Sequence, residues 1–332
     1  MIKILKYKEV ENKEIFARAD IKTNVEDIVF EIIENVKNNG DKALFEYCER
    51  FDGARLSSFA VSADEIENAV KAVDEKFINI LKKAASNIRK FHQKQVRTSF
   101  IINDENGIVT GQKIIPVDCA GLYVPGGTAA YPSTVLMDAI PAKIAGVKKI
   151  VMVTPPRPDG SVNPVILAAA HIAGVDKIYK VGGAQAIAAL AYGTESIPKA
   201  DKIVGPGNVF VAEAKKQVFG LVSIDMVAGP SEILIVADQT VNPKYAAADL
   251  LSQAEHDKMA SAVLVTTSKE LAEAVQKEIE IQIQRLERAE IARASIDGNG
   301  KIIVVDDIKT AIDIANEIAP EHLELCVDNP FD

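Results

Sequence analysis

The sequence predicts an α/β protein with two doubly wound units of parallel strands and a helical N-terminal region. From residue 119 onward, short apolar runs alternate with Ala-rich segments of helical periodicity. Such an alternation is built as parallel strands joined by right-handed helical crossovers. The chain has 332 residues, which at about 150 residues per domain gives roughly two domains. The alternation and the length together therefore predict two α/β units.

Composition narrows the class of protein. Hydrophobic residues make up 48% of the chain and charged residues 26%, as in an ordinary soluble globular protein. The net charge is −9, from 38 Lys and Arg against 47 Asp and Glu, which disfavours a broad surface for nucleic acid. The sequence contains no apolar run near the roughly eighteen residues of a membrane helix and no signal-peptide pattern at its start. We therefore expect a cytoplasmic protein with a small-molecule substrate and no nucleic-acid or membrane partner.

The first predicted element is a helix with one apolar face. Asn24 is placed to cap this helix and Gly40 to end it. Apolar side chains recur at spacings of three and four residues, as in a helix that buries one side. They are Val25, Ile28, Val29, Ile32, Ile33 and Val36.

A second helical stretch and a hairpin complete the N-terminal region. Ser62 and Glu65 form a capping-box pattern ahead of a helical segment that reaches about Phe91. Residues 100–102 and 108–115 flank a polar turn that ends at Gly107, which predicts a hairpin.

The two α/β units follow in chain order. We place the domain break near Asp238, so that residues 117–238 form one α/β domain. The helical region 1–116 is expected to pack with residues 239–332 as the other α/β domain. The predicted strands are 120–124, 149–154, 177–181, 202–204, 232–237, 262–267, 301–305 and 323–327. The predicted helices are 134–145, 162–173, 185–192, 209–219, 243–255, 268–293 and 307–319.

Gly-rich turns are predicted at strand ends, where a doubly wound sheet binds ligands. Glycine lets a backbone approach a ligand closely, but it also serves simple tight turns, and Asn208 could act only as a helix cap. The dinucleotide fingerprint G-x-G-x-x-G is absent, because Phe210 stands where the third glycine would be. Four such turns on one edge favour a binding site. They are Pro125-Gly126-Gly127, Gly182-Gly183, Gly205-Pro206-Gly207-Asn208 and Gly229-Pro230-Ser231.

Two pairs of side chains could carry chemistry. Gln253 and His256 are three residues apart near a helix end, so both emerge on one face and could bind one metal ion such as Zn²⁺. Two ligands do not make a metal site, and such a pair is more often a hydrogen-bonded helix end. Glu321 and His322 precede an apolar strand and could act as two proton carriers. Alternatively, they are solvated charges that follow a helix stop.

Cysteine chemistry is not expected. Cys48, Cys119 and Cys326 are too few and too scattered for a disulfide framework or a CxxC metal site. Cys119 opens a predicted strand, where a buried, inert thiol is expected rather than a nucleophile.

A series of longer sequence blocks extends over most of the chain and is far more specific than any lone glycine motif. The blocks are Gly121-Leu-Tyr-Val-Pro-Gly-Gly127, Ser133-Thr-Val-Leu-Met137, Val181-Gly-Gly-Ala-Gln-Ala-Ile-Ala-Ala-Leu190, Gly193-Thr-Glu195, Lys202-Ile-Val-Gly-Pro-Gly-Asn208, Ile224-Asp-Met226, Ala228-Gly-Pro-Ser-Glu232, Asp249-Leu-Leu-Ser-Gln-Ala-Glu-His256 and Pro320-Glu-His-Leu323. In this order they resemble the histidinol dehydrogenase family.

The resemblance implies an enzyme of histidine biosynthesis that oxidises L-histidinol to L-histidine in two hydride transfers to NAD, through an aldehyde held on the enzyme. It implies a zinc-dependent homodimer built on incomplete Rossmann-like units, in agreement with the missing fingerprint. Residues 117–238 would then be the NAD-binding domain. Tyr123, Gln185 and Asn208 would contact NAD.

The resemblance also implies which residues bind the substrate and zinc and which transfer protons. Gln253 and His256 would bind zinc and, together with Ser231 and His322, contact the substrate. Glu321 and His322 would be the catalytic acid–base pair. His322 would take the alcohol proton in the first step, and Glu321 would activate water in the second. Zinc would chiefly orient the substrate.

The sequence departs from the family pattern at its end. In the family, the chain continues past the Pro-Glu-His motif and supplies a zinc-binding Asp, a Gly-rich segment, and a tail whose Glu and His reach the partner subunit. The sequence given ends at Asp332 without this C-terminal tail, so we expect an incomplete zinc site. Either the family's C-terminal part has been removed, which the stop in mid-pattern favours, or the natural protein is short and impaired.

Two alternatives to a histidinol dehydrogenase stay open. A non-catalytic, NAD-responsive or assembly subunit would keep the fold and the pocket without the metal centre. A related dehydrogenase would act on another amino alcohol. Retention of Gln253, His256, Glu321 and His322 favours a catalytic protein.

Overall fold

The computed structural model describes residues 1–17, 25–126, 131–227 and 229–331. The chain divides into two compact units. The central unit spans Thr23–Ala228, and the terminal unit comprises Met1–Lys22 and Gly229–Asp332. Among the described helices, none is both long and apolar enough to cross a membrane.

Strands and helices alternate through most of the described chain. The strands are β1 (Lys3–Lys6), β2 (Phe100–Asn103), β3 (Val109–Gln112), β4 (Cys119–Tyr123), β5 (Lys149–Thr154), β6 (Lys177–Lys180), β7 (Lys202–Val204), β8 (Ser223–Ile224), β9 (Glu232–Ala237), β10 (Ser261–Thr266), β11 (Lys301–Val304) and β12 (His322–Cys326). The helices are α1 (Asn12–Phe16), α2 (Glu26–Tyr47), α3 (Ala63–Ala72), α4 (Glu75–His92), α5 (Pro132–Ile144), α6 (Pro164–Ala173), α7 (Gly183–Tyr192), α8 (Val209–Val218), α9 (Pro243–Ala254), α10 (Lys269–Gln282), α11 (Ala289–Gly298) and α12 (Ile308–Ile318).

The central unit contains a five-stranded sheet in the order β6-β5-β4-β7-β8, with every neighbouring pair parallel. The chain winds from β4 outward to β6 and then returns to the other side of β4, which is the order of a doubly wound nucleotide-binding fold. One face of this sheet packs against α2, α7 and α8, and the other packs against α3 to α6.

The terminal unit contains a second parallel sheet, in the order β1-β11-β10-β9-β12. The chain winds from β9 outward to β11, and β12 returns to the other side of β9. Helices α9 to α11 cover one face, and α1 and α12 cover the other. The predicted fold class of two doubly wound parallel units is therefore confirmed, with the unpredicted strand β1 added at one edge.

The division into units differs from the predicted one. Helices α2 to α4 belong to the central unit rather than with residues 239–332, because their apolar side chains are buried against its helices, as at Val29, Leu44 and Leu81. Strand β9 belongs to the terminal unit, so the boundary lies at Gly229 rather than near Asp238. Helical periodicity shows that a face is buried, but it does not show which sheet covers that face.

Local signals explain how α3 and α4 begin and end. Ser62 and Glu65 form the predicted capping box at the start of α3. The single helix predicted to reach about Phe91 is two helices, because extended backbone at Val73 ends α3 and the side chain of Asp74 caps α4. A capping residue inside a helical pattern thus marked a break that periodicity alone did not show.

The first helix and the hairpin also follow local signals. Gly40 was predicted to end the first helix. It has a φ of 53° and interrupts the helical geometry, but the chain resumes the helix at once and α2 ends at Tyr47. The predicted cap Asn24 lies outside the described residues. The predicted hairpin is confirmed as the antiparallel pair β2–β3.

Candidate functional site

The Gly-rich turns lie at two different edges of two sheets. Gly126, Gly182 and Gly205 follow β4, β6 and β7, at the carboxyl edge of the central-unit sheet. Gly229 precedes β9, at the amino edge of the terminal-unit sheet. The expectation of four turns on one edge is therefore wrong, because the fourth turn leads into a strand instead of following one. The predicted turn residue Gly127 lies outside the described residues.

One proline explains two of these turns. A Cβ on Gly126 would lie 2.4 Å from Cγ of Pro155, and a Cβ on Gly182 would lie 2.5 Å from Cβ of Pro155. The loops that follow β4, β5 and β6 therefore interlock around a single ring. Packing inside the protein is enough to require glycine at both positions.

A cavity of about 340 Å³ opens at the carboxyl ends of β4 and β5, beside these loops. Its lining combines apolar side chains such as Val162 with the polar residues Asp52, Thr154, Arg157 and Asn163. Within the described chain, Oδ2 of Asp52 is buried without a hydrogen-bond partner. Burial raises the pKa of Asp52 to about 6. This volume and mixture of groups are typical of a small-molecule site.

The three residues predicted to contact NAD lie at the same carboxyl edge, although none of them lines this cavity. Tyr123 is buried, its hydroxyl accepts a hydrogen bond from the Gly183 N–H at 3.1 Å, and burial raises its pKa to about 12. Gln185 is buried in the first turn of α7. Asn208 is exposed, and its Oδ1 caps α8 by accepting hydrogen bonds from Phe210 and the next residue. Asn208 is therefore the N-cap of α8.

The residues predicted to bind substrate and metal, or to transfer protons, all lie at the amino edge of the terminal-unit sheet. Ser231 directly precedes β9, and its carbonyl oxygen accepts a hydrogen bond from the first N–H of β10 at 3.0 Å. Gln253 lies in the last turn of α9 and His256 just beyond it, both ahead of β10. Glu321 precedes β12, and His322 begins it. The structure thus places all five on one edge.

The predicted acid–base pair is in contact. Oε2 of Glu321 lies 3.7 Å from Nδ1 of His322, and both side chains are about half exposed. The same Nδ1 lies 3.2 Å from the backbone carbonyl oxygen of Glu232. A carbonyl oxygen can only accept a hydrogen bond, so Nδ1 carries the proton in this contact. In this tautomer Nε2 is the basic nitrogen, and the carboxylate of Glu321 lies on the Nδ1 side of the ring.

Two carboxyl groups beside this pair were not predicted from the sequence. Glu324 follows His322 by two residues and is half-buried. Burial and then the charge of Asp249 raise the pKa of Glu324. Asp249 precedes Gln253 by four residues on α9. The sequence did place each of them beside a predicted residue. Glu324 shares a strand face with His322, and Asp249 shares a helix face with Gln253.

The metal prediction is only partly supported by the donor set. Gln253 is half-buried and His256 is exposed, and Arg288 donates a hydrogen bond to the backbone oxygen of His256 at 3.2 Å. Within the described ranges, no group of three or more His, Cys, Asp and Glu side chains is placed to hold a metal ion. An amide oxygen and an imidazole nitrogen would supply two of the four ligands of a tetrahedral zinc site. These two donors do not complete such a site.

The buried cysteines are poor nucleophiles. Cys119 is buried at the start of β4, and burial raises its pKa. Burial raises the pKa of Cys48 to about 12. Both groups are therefore neutral thiols near pH 7, and the prediction of an inert thiol at Cys119 is confirmed.

Comparisons with known proteins agree with the fold and with the sequence blocks. A family model described as histidinol dehydrogenase matches residues 17–332. Histidinol dehydrogenase of Clostridium acetobutylicum is 60% identical over 301 residues, which are 91% of this chain and 70% of that protein. Histidinol dehydrogenase of Listeria monocytogenes serovar 1/2a is 56% identical over 307 residues, which are 92% of this chain and 72% of that protein.

A solved structure gives the same result. The crystal structure of histidinol dehydrogenase from Elizabethkingia anophelis matches with a TM-score of 0.94 at 41% identity, covering 99% of this chain and 76% of that one. The two parallel units and these matches define the chain as an oxidoreductase. It belongs to the histidinol dehydrogenase family. The resemblance inferred from the sequence blocks is therefore confirmed.

Proposed function

We propose that this chain oxidises L-histidinol to L-histidine by way of the aldehyde, in two NAD-dependent steps. The observation that carries the proposal, in a chain of this family, is the contact between Glu321 and His322 at the amino end of β12. The carbonyl of Glu232 orients the ring so that Nε2 is the base. When bound, NAD supplies the hydride acceptor in both steps.

The proton transfers are assigned to the chain's own side chains. In the first step, Nε2 of His322 takes the hydroxyl proton of the alcohol, and the charge of Glu321 at 3.7 Å stabilises the imidazolium that forms. In the second step, Glu321 takes a proton from water while the water oxygen bonds to the aldehyde carbon, and the protonated His322 gives its proton to the former carbonyl oxygen, which forms the hydrated aldehyde. The neutral His322 then takes a hydroxyl proton of that diol as the same carbon gives up its hydride to the acceptor, and the carboxylic acid results.

NAD is assigned to the carboxyl edge of the central-unit sheet. Three observations support this assignment: the strand order of a nucleotide-binding fold, the cavity at the ends of β4 and β5, and the unpaired Oδ2 of Asp52 within the described chain. Tyr123 and Gln185 are buried, so they would act by holding the loops that meet the cofactor. Asn208 is exposed and could contact the cofactor directly.

The substrate and zinc are assigned to the terminal unit. Ser231, Gln253, His256 and His322 would contact histidinol, and Gln253 and His256 would also supply two zinc ligands. Bound zinc would supply a fixed point of attachment for the substrate. Because these two donors do not complete its coordination, no proton transfer is derived through the metal.

A homodimer is also proposed. In the central unit, hairpin β2–β3 is exposed along both strands and carries apolar side chains, among them Ile101 and Val109. A two-stranded hairpin is only marginally stable by itself, and an exposed apolar patch favours association. Light scattering of the purified chain should give the mass of two chains, and a monomer at all concentrations would contradict this part of the proposal.

The activity and the division of labour can be tested together by NADH formation in the presence of Zn²⁺. The wild-type chain should turn over both L-histidinol and its aldehyde. Glu321→Gln should keep most alcohol oxidation and lose aldehyde oxidation, because only the second step needs water to be activated. Glu317→Gln, an exposed change of the same kind on α12, is the control.

Two outcomes would contradict the proposal. Equal loss of both steps in Glu321→Gln would overturn the assignment of the water-activating role. A wild-type chain that binds NAD and zinc but leaves histidinol unchanged would overturn the substrate, and would favour either another amino alcohol or a non-catalytic role.

A further inference from the structure

An ion pair between a buried lysine and a partly exposed aspartate lies next to the turn that leads to Asn208. Lys215 of α8 is only 2% exposed, and its Nζ donates hydrogen bonds to the carbonyl oxygen of Gly205 at 2.5 Å and to Oδ1 of Asp225 at 2.7 Å. Oδ2 of Asp225 accepts a hydrogen bond from the N–H of Gly205 at 2.8 Å. Lys215 and Asp225 therefore bind the carbonyl oxygen and the N–H of Gly205, respectively.

The residue held in this way lies at the point where the strand order reverses. Gly205 follows β7 and has a φ of +117°, and a Cβ at this position would lie 2.1 Å from the carbonyl oxygen of Tyr123 at the end of β4. The neighbours β4 and β7 belong to the two oppositely wound halves of the sheet. In doubly wound sheets, ligands bind outside the carboxyl ends of the strands at this crevice.

A third ionisable side chain, that of Asp138, lies next to Gly205. Within the described chain, Oδ2 of Asp138 on α5 is buried without a hydrogen-bond partner, and it lies 3.0 Å from the position that a Cβ of Gly205 would take. Burial and then the charge of Asp225 raise the pKa of Asp138 to about 7, while Lys215 lowers it. An ammonium group and two carboxyl groups thus lie next to Gly205.

Stability alone does not explain such a cluster. Burial of the Lys215 ammonium group costs desolvation free energy that an apolar side chain of similar volume would not incur, so a lysine is not required at this point for a folded unit. Its hydrogen bond to the carbonyl oxygen of Gly205 instead holds the backbone at the carboxyl end of β7. From Gly205, the turn runs through two residues to Asn208, which caps α8, the helix that carries Lys215.

We infer that Lys215 and Asp225 are positioning residues for the cofactor, and that they hold the Gly205–Asn208 turn in the conformation that binds NAD. The inference rests on the proposed assignment of NAD to this edge. Neither residue needs to touch NAD, because each acts through the backbone of Gly205.

Lys215→Met is the direct test, because methionine keeps much of the side-chain volume and removes both hydrogen bonds. The KM for NAD and the dissociation constant from calorimetry should rise about tenfold, while the KM for histidinol should change less than about twofold. Lys216→Met removes the same charge from an exposed neighbour that pairs with Glu26 and Glu213. This control should leave both constants unchanged.

A second variant keeps the test valid if Lys215→Met does not fold. Asp225→Asn retains the side-chain shape, so it should fold and should weaken NAD binding by a smaller factor. Either variant that lowers the melting temperature but leaves NAD affinity unchanged would overturn the inference and show a merely structural pair. If the wild-type chain itself binds no NAD in calorimetry, the proposed cofactor assignment fails instead, so the two failures are distinguishable.

Discussion

The central and terminal units wind their sheets in the same way but carry their candidate residues on opposite edges. In each unit, the chain starts at a middle strand, β4 or β9, adds the next two strands outward on one side, and then places the following strand on the other side. Tyr123 and Asn208 lie at or beyond the carboxyl ends of the central strands. Gln253, Glu321 and His322 lie at the amino ends of the terminal strands. A shared winding therefore does not determine where the chemistry lies.

The helix ends explain what each edge can bind. At the carboxyl edge of the central unit, helices such as α8 begin, and their N-terminal N–H groups and positive dipole ends favour an anion such as a pyrophosphate. At the amino edge of the terminal unit, α9 ends, and the negative dipole end favours a cation. An amino alcohol and a metal ion are cationic. The two edges thus match the charges of the proposed ligands, with anionic NAD at one and the cationic amino alcohol and metal ion at the other.

The largest expected effect separates chemistry in the terminal unit from binding in the central unit. His322→Gln removes the base at Nε2, so kcat should fall by about a hundredfold to ten-thousandfold in both oxidation steps. The dissociation constant for NAD from calorimetry should stay within about twofold of the wild type. A parallel loss of NAD affinity would mean that His322 also contributes to the cofactor site.

A smaller effect concerns the stability of the central unit. The pKa of Asp138 is raised to about 7 in the folded protein, so between its unfolded value and pH 7 the folded state binds more protons than the unfolded state. Stability is therefore lost as the pH rises through this window. Asp138→Asn should remove this loss and increase the free energy of unfolding at pH 8 by about 4 kcal/mol, with little change near pH 4.

Urea unfolding at several pH values measures this difference. The exposed Asp64→Asn in α3 is the control. A constant difference between Asp138→Asn and the wild type from pH 4 to pH 8 would show that the Asp138 carboxyl does not titrate in this window.

The smallest expected effect distinguishes the two roles of Asn208. Aspartate is as good a helix cap as asparagine, so Asn208→Asp should leave the melting temperature unchanged. Its negative charge would repel the phosphates of NAD, and the dissociation constant should rise about fivefold at low salt and less at high salt. Unchanged NAD affinity would show that Asn208 acts only as the cap of α8.

Much of the site could be predicted, because family blocks and residue types are local features of the chain. Glu321 and His322 are adjacent in sequence, and Gln253 and His256 are one helical turn apart, so their proximity within each pair required no tertiary information. The orientation of His322 could not be predicted, because the carbonyl that holds Nδ1 belongs to β9, ninety residues away in sequence. The proximity of Asp249 to Glu324 could not be predicted either, because one lies on α9 and the other on β12, and only the fold brings them together.

The sequence by itself determined the order and the type of most elements. Helical periodicity, the capping box at Ser62 and the hairpin turn at Gly107 depend on residues within a few positions of each other, so they can be recognised without the fold. The tertiary structure decided which sheet covers α2 to α4, which edge carries the acid–base pair, and which lysine is buried. Those outcomes depend on strands and helices that are distant in sequence, and only their packing brings Lys215 to Asp225 or places β7 beside β4.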